Sequence, residues 1–109
     1  IKLVEINLKA DLELICEKDC FYGSSIKIAK FYSKLVKLEN SCFENHIFCK
    51  STIENVIIIS DNLTICDNCF NGCSSLNLFY IISKNEPNIG NNVFDGCANI
   101  SFLGQTPIL

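Results

Sequence analysis

Residues 69–76, Cys69-Phe70-Asn71-Gly72-Cys73-Ser74-Ser75-Leu76, return 24 residues later as Val93-Phe94-Asp95-Gly96-Cys97-Ala98-Asn99-Ile100. Fainter versions stand upstream: Cys20-Phe21-Tyr22-Gly23-Ser24-Ser25-Ile26, and Cys42-Phe43 followed by Cys49 and Ile53. The phenylalanines Phe21, Phe43, Phe70 and Phe94 are 22, 27 and 24 residues apart. A period in this range belongs to solenoids, in which each unit covers the apolar face its neighbour leaves open.

A second constant element follows each phenylalanine: an aliphatic residue, then apolar residues three and five positions further on. It reads Leu76, Phe79, Ile81 in one copy and Ile53, Val56, Ile58 in another, with Ile26, Ala29, Phe31 and Leu3, Ile6, Leu8 before them. The last copy, Ile100 and Leu103, stops at Gly104. The second and third apolar positions share parity, as a strand with one buried face requires. β-branched and aromatic residues fill these stretches and turn residues bound them. The pattern predicts five short strands stacked in parallel, starting near residues 3, 26, 53, 76 and 100. Gly23, Gly72 and Gly96 fall where the chain turns after Phe. A further apolar site before each Phe, at Ile15, Leu38, Ile65 and Ile89, is expected to seat the returning segment on the other side of the coil. Residues 25–38 contest this reading, since Ile28, Phe31, Tyr32 and Leu35 also keep helical spacing. The register shared with the other copies favours a strand and a return segment there.

The unit Phe-x-Gly-Cys-Ser-x-Leu-x-x-Ile-x-Ile, followed by Ile-Gly-x-x-x-Phe, resembles the BspA-like leucine-rich repeat. The match is close over Ile65–Leu103, including Ile89-Gly90-Asn91-Asn92-Val93-Phe94, and degraded over Leu3–Ile59, where an insertion surrounds His46-Ile47-Phe48. The family occurs on bacterial surfaces and is expanded in parasitic protists. The resemblance implies a single leucine-rich-repeat solenoid over residues 1–109, mainly β, with four to five right-handed repeats of ~23–27 residues. Each would carry one short parallel strand and a loop or short helical return segment. The ending Ile100-Ser101-Phe102-Leu103-Gly104 is similar to the last unit of such arrays, which implies the C-terminal part of a longer protein.

The 8 cysteines read as a disulfide scaffold, a metal site or column fillers. Cys20, Cys42 and Cys69 share the slot that Val93 fills in the fourth copy. Cys49, Cys73 and Cys97 share the slot after the turn, and Cys16 and Cys66 follow the return-segment isoleucine. Valine in the first column suggests that a small hydrophobe is wanted there, so buried free thiols are the favoured reading. Stacked members would still lie close enough to bond, because strand spacing is close to the Cα separation of a disulfide. Cys66-x-x-Cys69-x-x-x-Cys73 is also a workable metal spacing, with Cys97 or His46 as fourth ligand. The repeat already demands these residues, so neither a metal nor any other cofactor is assigned. Phe21, Phe43, Phe70, Phe94, Cys69, Cys73 and Cys97 are read as the structural core of the repeat.

No catalytic residues stand out. His46 lacks a group to orient it beside Cys49, the carboxylates form no pair in an apolar setting, and no phosphate-binding glycine loop is present. The chain holds 9 Lys+Arg against 12 Asp+Glu, and all nine bases are lysine. A lysine strip at 27, 30, 34 and 37 is the one basic feature, read as a solvated face, so nucleic acid is not an expected partner. No apolar run approaches the roughly 20 residues that cross a bilayer as a helix. Asn62-Leu63-Thr64 and Asn99-Ile100-Ser101 are glycosylation sequons, and Asn62 is the better acceptor.

With the shared-parity residues inward, the strands present Glu5 and Asn7, Ile28 and Lys30, Asn55 and Ile57, Leu78 and Tyr80, and Phe102 outward. Exposed apolar and aromatic patches mark interaction sites. Ile28, Ile57, Leu78, Tyr80 and Phe102 are therefore the candidate partner-binding residues. The expected function is non-catalytic protein recognition, which the resemblance extends to adhesion or host-protein binding by a larger surface protein. The alternatives are an intracellular scaffold subunit, with a cytoplasmic setting, and a thiolate metal or redox module.

Overall fold

The computed structural model describes residues 5–21, 25–43 and 52–105. The Leu3 start of the first copy, Gly23, His46 and Cys49 lie outside the described residues. Among the described residues nine strands follow one another: β1 (Glu5–Lys9), β2 (Glu13–Cys16), β3 (Ile28–Tyr32), β4 (Leu35–Leu38), β5 (Asn55–Ser60), β6 (Asn62–Ile65), β7 (Leu78–Ser83), β8 (Asn88–Ile89) and β9 (Ser101–Gln105). Odd-numbered strands stack in order as a five-stranded parallel sheet, and even-numbered strands as a four-stranded parallel sheet. This is a β-solenoid of about four turns with the leucine-rich-repeat layout, and no helix occurs among the described residues.

The first sheet follows the apolar spacing. Ile6 pairs with Ala29, Val56 and Phe79 in turn, and Leu8 with Phe31, Ile58 and Ile81. Successive side chains of a strand point to opposite faces, so both rows enter the interior together, and in the central strands they are buried. Ile26, Ile53 and Leu76 are buried as well, ahead of the strands rather than within them. The ladder therefore starts one or two residues later than the apolar triplets suggest. The contested segment forms β3 and β4, not a helix. Pairing to β5 on one sheet and β6 on the other satisfies its backbone along its length.

The return segments, expected as loop or short helix, each carry a second strand. Val36 and Leu63 sit in register, as do Leu38, Ile65 and Ile89. Val36, Leu38, Leu63 and Ile65 point inward and are buried. The first copy departs from the expected alignment: Cys16, not Ile15, pairs with Leu38, and Ile15 pairs with Lys37. Cys16 is 5% exposed and Ile15 46%. In the run Leu14-Ile15-Cys16 any residue can serve as the inward one, so apolarity alone leaves parity open. Cys16 thus belongs to the inward column rather than to the position after it.

At the corner that leads from the second sheet to the phenylalanines, four residues take left-handed backbone: Asp19 (φ 61), Ser41 (φ 58), Asn68 (φ 58) and Asn92 (φ 56). Each stands immediately before Cys20, Cys42, Cys69 or Val93. Asn and Asp tolerate this conformation better than other non-glycine residues. The corner then builds a core of rings. Phe21 stacks on Phe43 (4.8 Å between centroids), Phe43 on Phe70 (5.0 Å) and Phe70 on Phe94 (6.0 Å). Phe79 meets Phe70 edge-on at 5.3 Å, an arrangement that suits the quadrupoles of both rings.

Candidate functional site

The outer face of the five-stranded sheet is built by the residues that alternate with the core. One row runs Glu5, Ile28, Asn55, Leu78, Ser101, and the next Asn7, Lys30, Ile57, Tyr80, Leu103. A third runs Lys9, Tyr32, Ile59, Ile82. Ile28, Ile57, Leu78 and Tyr80 therefore share one face, each partly accessible. The strands run further than the repeat spacing suggests, so Tyr32, Ile59 and Ile82 extend this face beyond the sequence-derived set. Continuing the period-two alternation past Ile58 and Ile81 would have found them.

Phe102 is 39% exposed, but its register sets it in the inward row rather than on the outer face. It pairs with Phe79 in the inward row and rests against Phe94 at 4.9 Å and Phe79 at 6.0 Å. Leu103, 54% exposed, takes the outward place beside Tyr80. The last coil is shorter: Phe94 is seven residues from Ser101, whereas Phe70 is eight from Leu78. That single residue reverses the parity inferred from the repeat. Gly104 lets β9 sit in this register. Its φ is +117, and a Cβ there would meet Ile81 backbone atoms at 2.7 and 2.9 Å.

The face changes character along the stack. At its first strand Asn7 Nδ2 donates to Glu5 Oε2 at 2.9 Å, and Lys30 Nζ lies 3.5 Å from the same oxygen. The Asn7 hydrogen bond, and then the Lys30 charge, hold the Glu5 carboxyl below its ordinary range. From β5 onward the exposed side chains are mostly aliphatic or aromatic. The second sheet presents the opposite composition outward: Glu13, Ile15, Leu35, Lys37, Asn62, Thr64 and Asn88. Lys30 and Lys37 stand on different sheets, and Lys37 pairs with Glu39 at 3.9 Å. The lysine strip is therefore not one basic surface.

Along the ends of the first-sheet strands, the outer face opens into a groove of about 740 Å³ whose lining includes Lys9, Tyr32, Ile59, Ser60, Ile82 and Lys84. Lys9 Nζ lies 5.7 Å from the centre of the Tyr32 ring, a cation–π contact. Ser33 and Ser60 also line the groove, and their hydroxyl oxygens are buried without a hydrogen-bond partner.

The cysteine columns take distinct environments. Cys42, Cys69, Cys73 and Cys97 are buried, whereas Cys20 is exposed. Cys73 Sγ donates to the Phe43 carbonyl at 2.9 Å and Cys97 Sγ to the Phe70 carbonyl at 3.2 Å. Burial pushes the Cys97 thiol up. Among the described residues, no group of three or more His, Cys, Asp or Glu is arranged to hold a metal ion, Cys66, Cys69 and Cys73 included. Asn62 is exposed at the start of β6 and accepts a hydrogen bond from Asn85 Nδ2 at 2.8 Å. No helix among the described residues is long and apolar enough to cross a membrane.

Searches of curated proteins and of solved structures find no match. A family model described as a BspA type leucine rich repeat region, in 6 copies, matches residues 1–104. Domains built from leucine-rich repeats are commonly protein-interaction modules and generally non-catalytic. The match covers nearly the whole chain and agrees with the stacked phenylalanines and parallel ladders: this protein belongs to the BspA-type leucine-rich-repeat family.

Proposed function

We propose that this chain is a non-catalytic recognition module that docks a partner protein on the outer face of its five-stranded sheet. The observation that carries the reading is the contrast between its two solvent-facing sheets. Ile57, Ile59, Leu78, Tyr80, Ile82 and Leu103 form a continuous apolar and aromatic surface on one, while the other is largely polar. Tyrosine is enriched among the residues that carry binding energy at protein interfaces, and contiguous exposed apolar surface marks interaction sites. The setting this reading favours is adhesion or host-protein binding within a larger surface protein, with Asn62 as a glycosylation site.

The test is site-directed photo-cross-linking with protein from the native source. A photoreactive side chain placed at Tyr80 should form an adduct with the partner, and one placed at Thr64 on the second sheet should not. An adduct at Thr64 alone, or at neither position, would overturn the assignment.

A scaffold role inside a larger assembly is the second reading. It is favoured by the Cys73 and Cys97 hydrogen bonds, which exist only while these thiols stay reduced, as they do in reducing compartments. A glycan found on Asn62 in the native protein would exclude it.

A further inference from the structure

The first cysteine column differs from the others in one respect. At its N-terminal end Cys20 is exposed, and its Sγ lies 3.1 Å from the Sγ of buried Cys42. The two residues are neighbours across adjacent coils: the amide of Phe21 donates to the carbonyl of Cys42 at 3.1 Å. Strands in this relation are about 4.8 Å apart, within the Cα separation that a disulfide spans. In the same column Cys69 is stacked below Cys42, and Cys16 joins the group from β2 as a further hydrogen-bonding neighbour.

We propose that Cys20 and Cys42 are a reversible disulfide pair, closed by exchange with a low-molecular-weight disulfide such as oxidised glutathione and opened by dithiol reductants. The assignment is independent of the outer sheet face.

Accessibility and acidity divide the two roles. Cys20 is the member that an external disulfide can reach. Hydrogen bonds from the Cys16 and Cys42 thiols favour its thiolate and bring it below the ordinary thiol range. Cys42 is held protonated: the Cys16 hydrogen bond favours its thiolate, but Cys20, Cys69 and burial outweigh it. A low-pKa, accessible thiol beside a second cysteine is the arrangement that exchanges readily.

The chemistry balances in two steps. The Cys20 thiolate attacks one sulfur of oxidised glutathione, forming a mixed disulfide and releasing one glutathione thiolate. Cys42 sulfur then attacks Cys20 sulfur, its proton passes to solvent or to the leaving group, and a second glutathione departs. The two protein thiols are oxidised by two electrons, and one glutathione disulfide is reduced to two thiols. The product closes the 22-residue interval between the cysteines and ties the first coil to the second. The first coil carries the exposed Leu12 and Ile15.

The test uses the whole chain, reduced and then exposed to oxidised glutathione under native conditions. Free thiols are alkylated after denaturation, and the peptides are mapped. Of the 8 cysteines, six should take label, the Cys20 and Cys42 peptides should be joined, and reductant should restore eight labels. Hydrogen exchange over residues 5–16 should slow in the oxidised protein. In Cys20→Ser all seven remaining cysteines should be labelled. Eight labels in the oxidised wild type would overturn the pairing. So would a bond joining Cys16 to either residue, or glutathione left on Cys20 with no link to Cys42.

Discussion

The thiol of Cys73 donates to the carbonyl oxygen of Phe43, 30 residues earlier, at 2.9 Å. Cys97 repeats the contact one coil later, on the carbonyl of Phe70. These carbonyls lie where the backbone leaves the corner, and the thiol of the next coil serves them. A small apolar side chain would fill the same volume without donating. This is why the column after the turn holds cysteine in each described copy, while the column before Phe accepts valine at position 93.

Cys73→Ala removes that donor from a buried carbonyl. The expected loss is about 0.5–1.5 kcal/mol, the typical net contribution of one intramolecular hydrogen bond, read from the urea unfolding midpoint. A loss below about 0.5 kcal/mol, in the range of a neutral surface change, would show that the thiol serves only as volume.

Phe70, like Phe43, has stacked rings on both sides, here Phe43 and Phe94, and it adds an edge contact to Phe79. Phe70→Ala should cost about 3–5 kcal/mol. Phe94→Ala should cost less, because Phe94 is only partly buried. Equal losses at the two positions in denaturant titrations would contradict a ring fully buried at Phe70 and only partly buried at Phe94.

Gly96 has φ +81, and a Cβ on it would stand 3.0 Å from the Cα of Gly72, itself at φ 74. The two glycines are stacked, and a side chain on Gly96 would crowd Gly72. Gly96→Ala should destabilise by at least about 1–2 kcal/mol, the cost of left-handed backbone for a residue with a side chain. Thermal unfolding beside Ser74→Ala, an exposed position expected to stay within about 0.5 kcal/mol of wild type, gives the comparison.

The Cys20 thiol is lowered by its Cys16 and Cys42 hydrogen bonds, and the sign of the pH dependence follows. An ordinary thiol titrates near about 8.5, so its alkylation slows about tenfold for each pH unit below that value. A lowered thiol keeps its thiolate across this range and loses it only as pH falls through its own lower pKa. Cys20 should therefore remain the fastest site for iodoacetamide between pH 8 and pH 6, with little loss of rate. A tenfold fall per unit over that interval would show an unperturbed thiol.

The repeat was legible because phenylalanine and the apolar triplet recur together, which fixes the stacking and one sheet at once. Parity failed only where adjacent residues are both apolar. Leu14-Ile15-Cys16 offers three inward candidates, and Phe102-Leu103 offers two. In the first case pairing with Leu38 selects Cys16. In the second a coil one residue shorter, with Gly104 against Ile81, selects Phe102. The second sheet was seen only as single apolar positions, because its strands are four residues or fewer and their outer faces are mostly polar. The left-handed corners at Asp19, Ser41, Asn68 and Asn92 were written as an Asp, Asn or Ser before each column residue. The glycines after Phe were the stronger signal and masked them. For the site, Ile57 and Tyr80 were visible from alternation, whereas Tyr32, Ile59 and Ile82 required the true strand lengths.

The most direct test of the account is the affinity of the native partner for paired face variants, measured by titration calorimetry. Tyr80→Ser and Ile57→Ser on the first sheet should leave the fold in place and weaken binding about tenfold or more, as loss of an interface anchor does. Thr64→Ala and Lys37→Ala on the second sheet should leave affinity within about twofold, as expected of residues outside the interface. Unchanged affinity in the first pair, or a loss confined to the second, would contradict recognition through the five-stranded sheet.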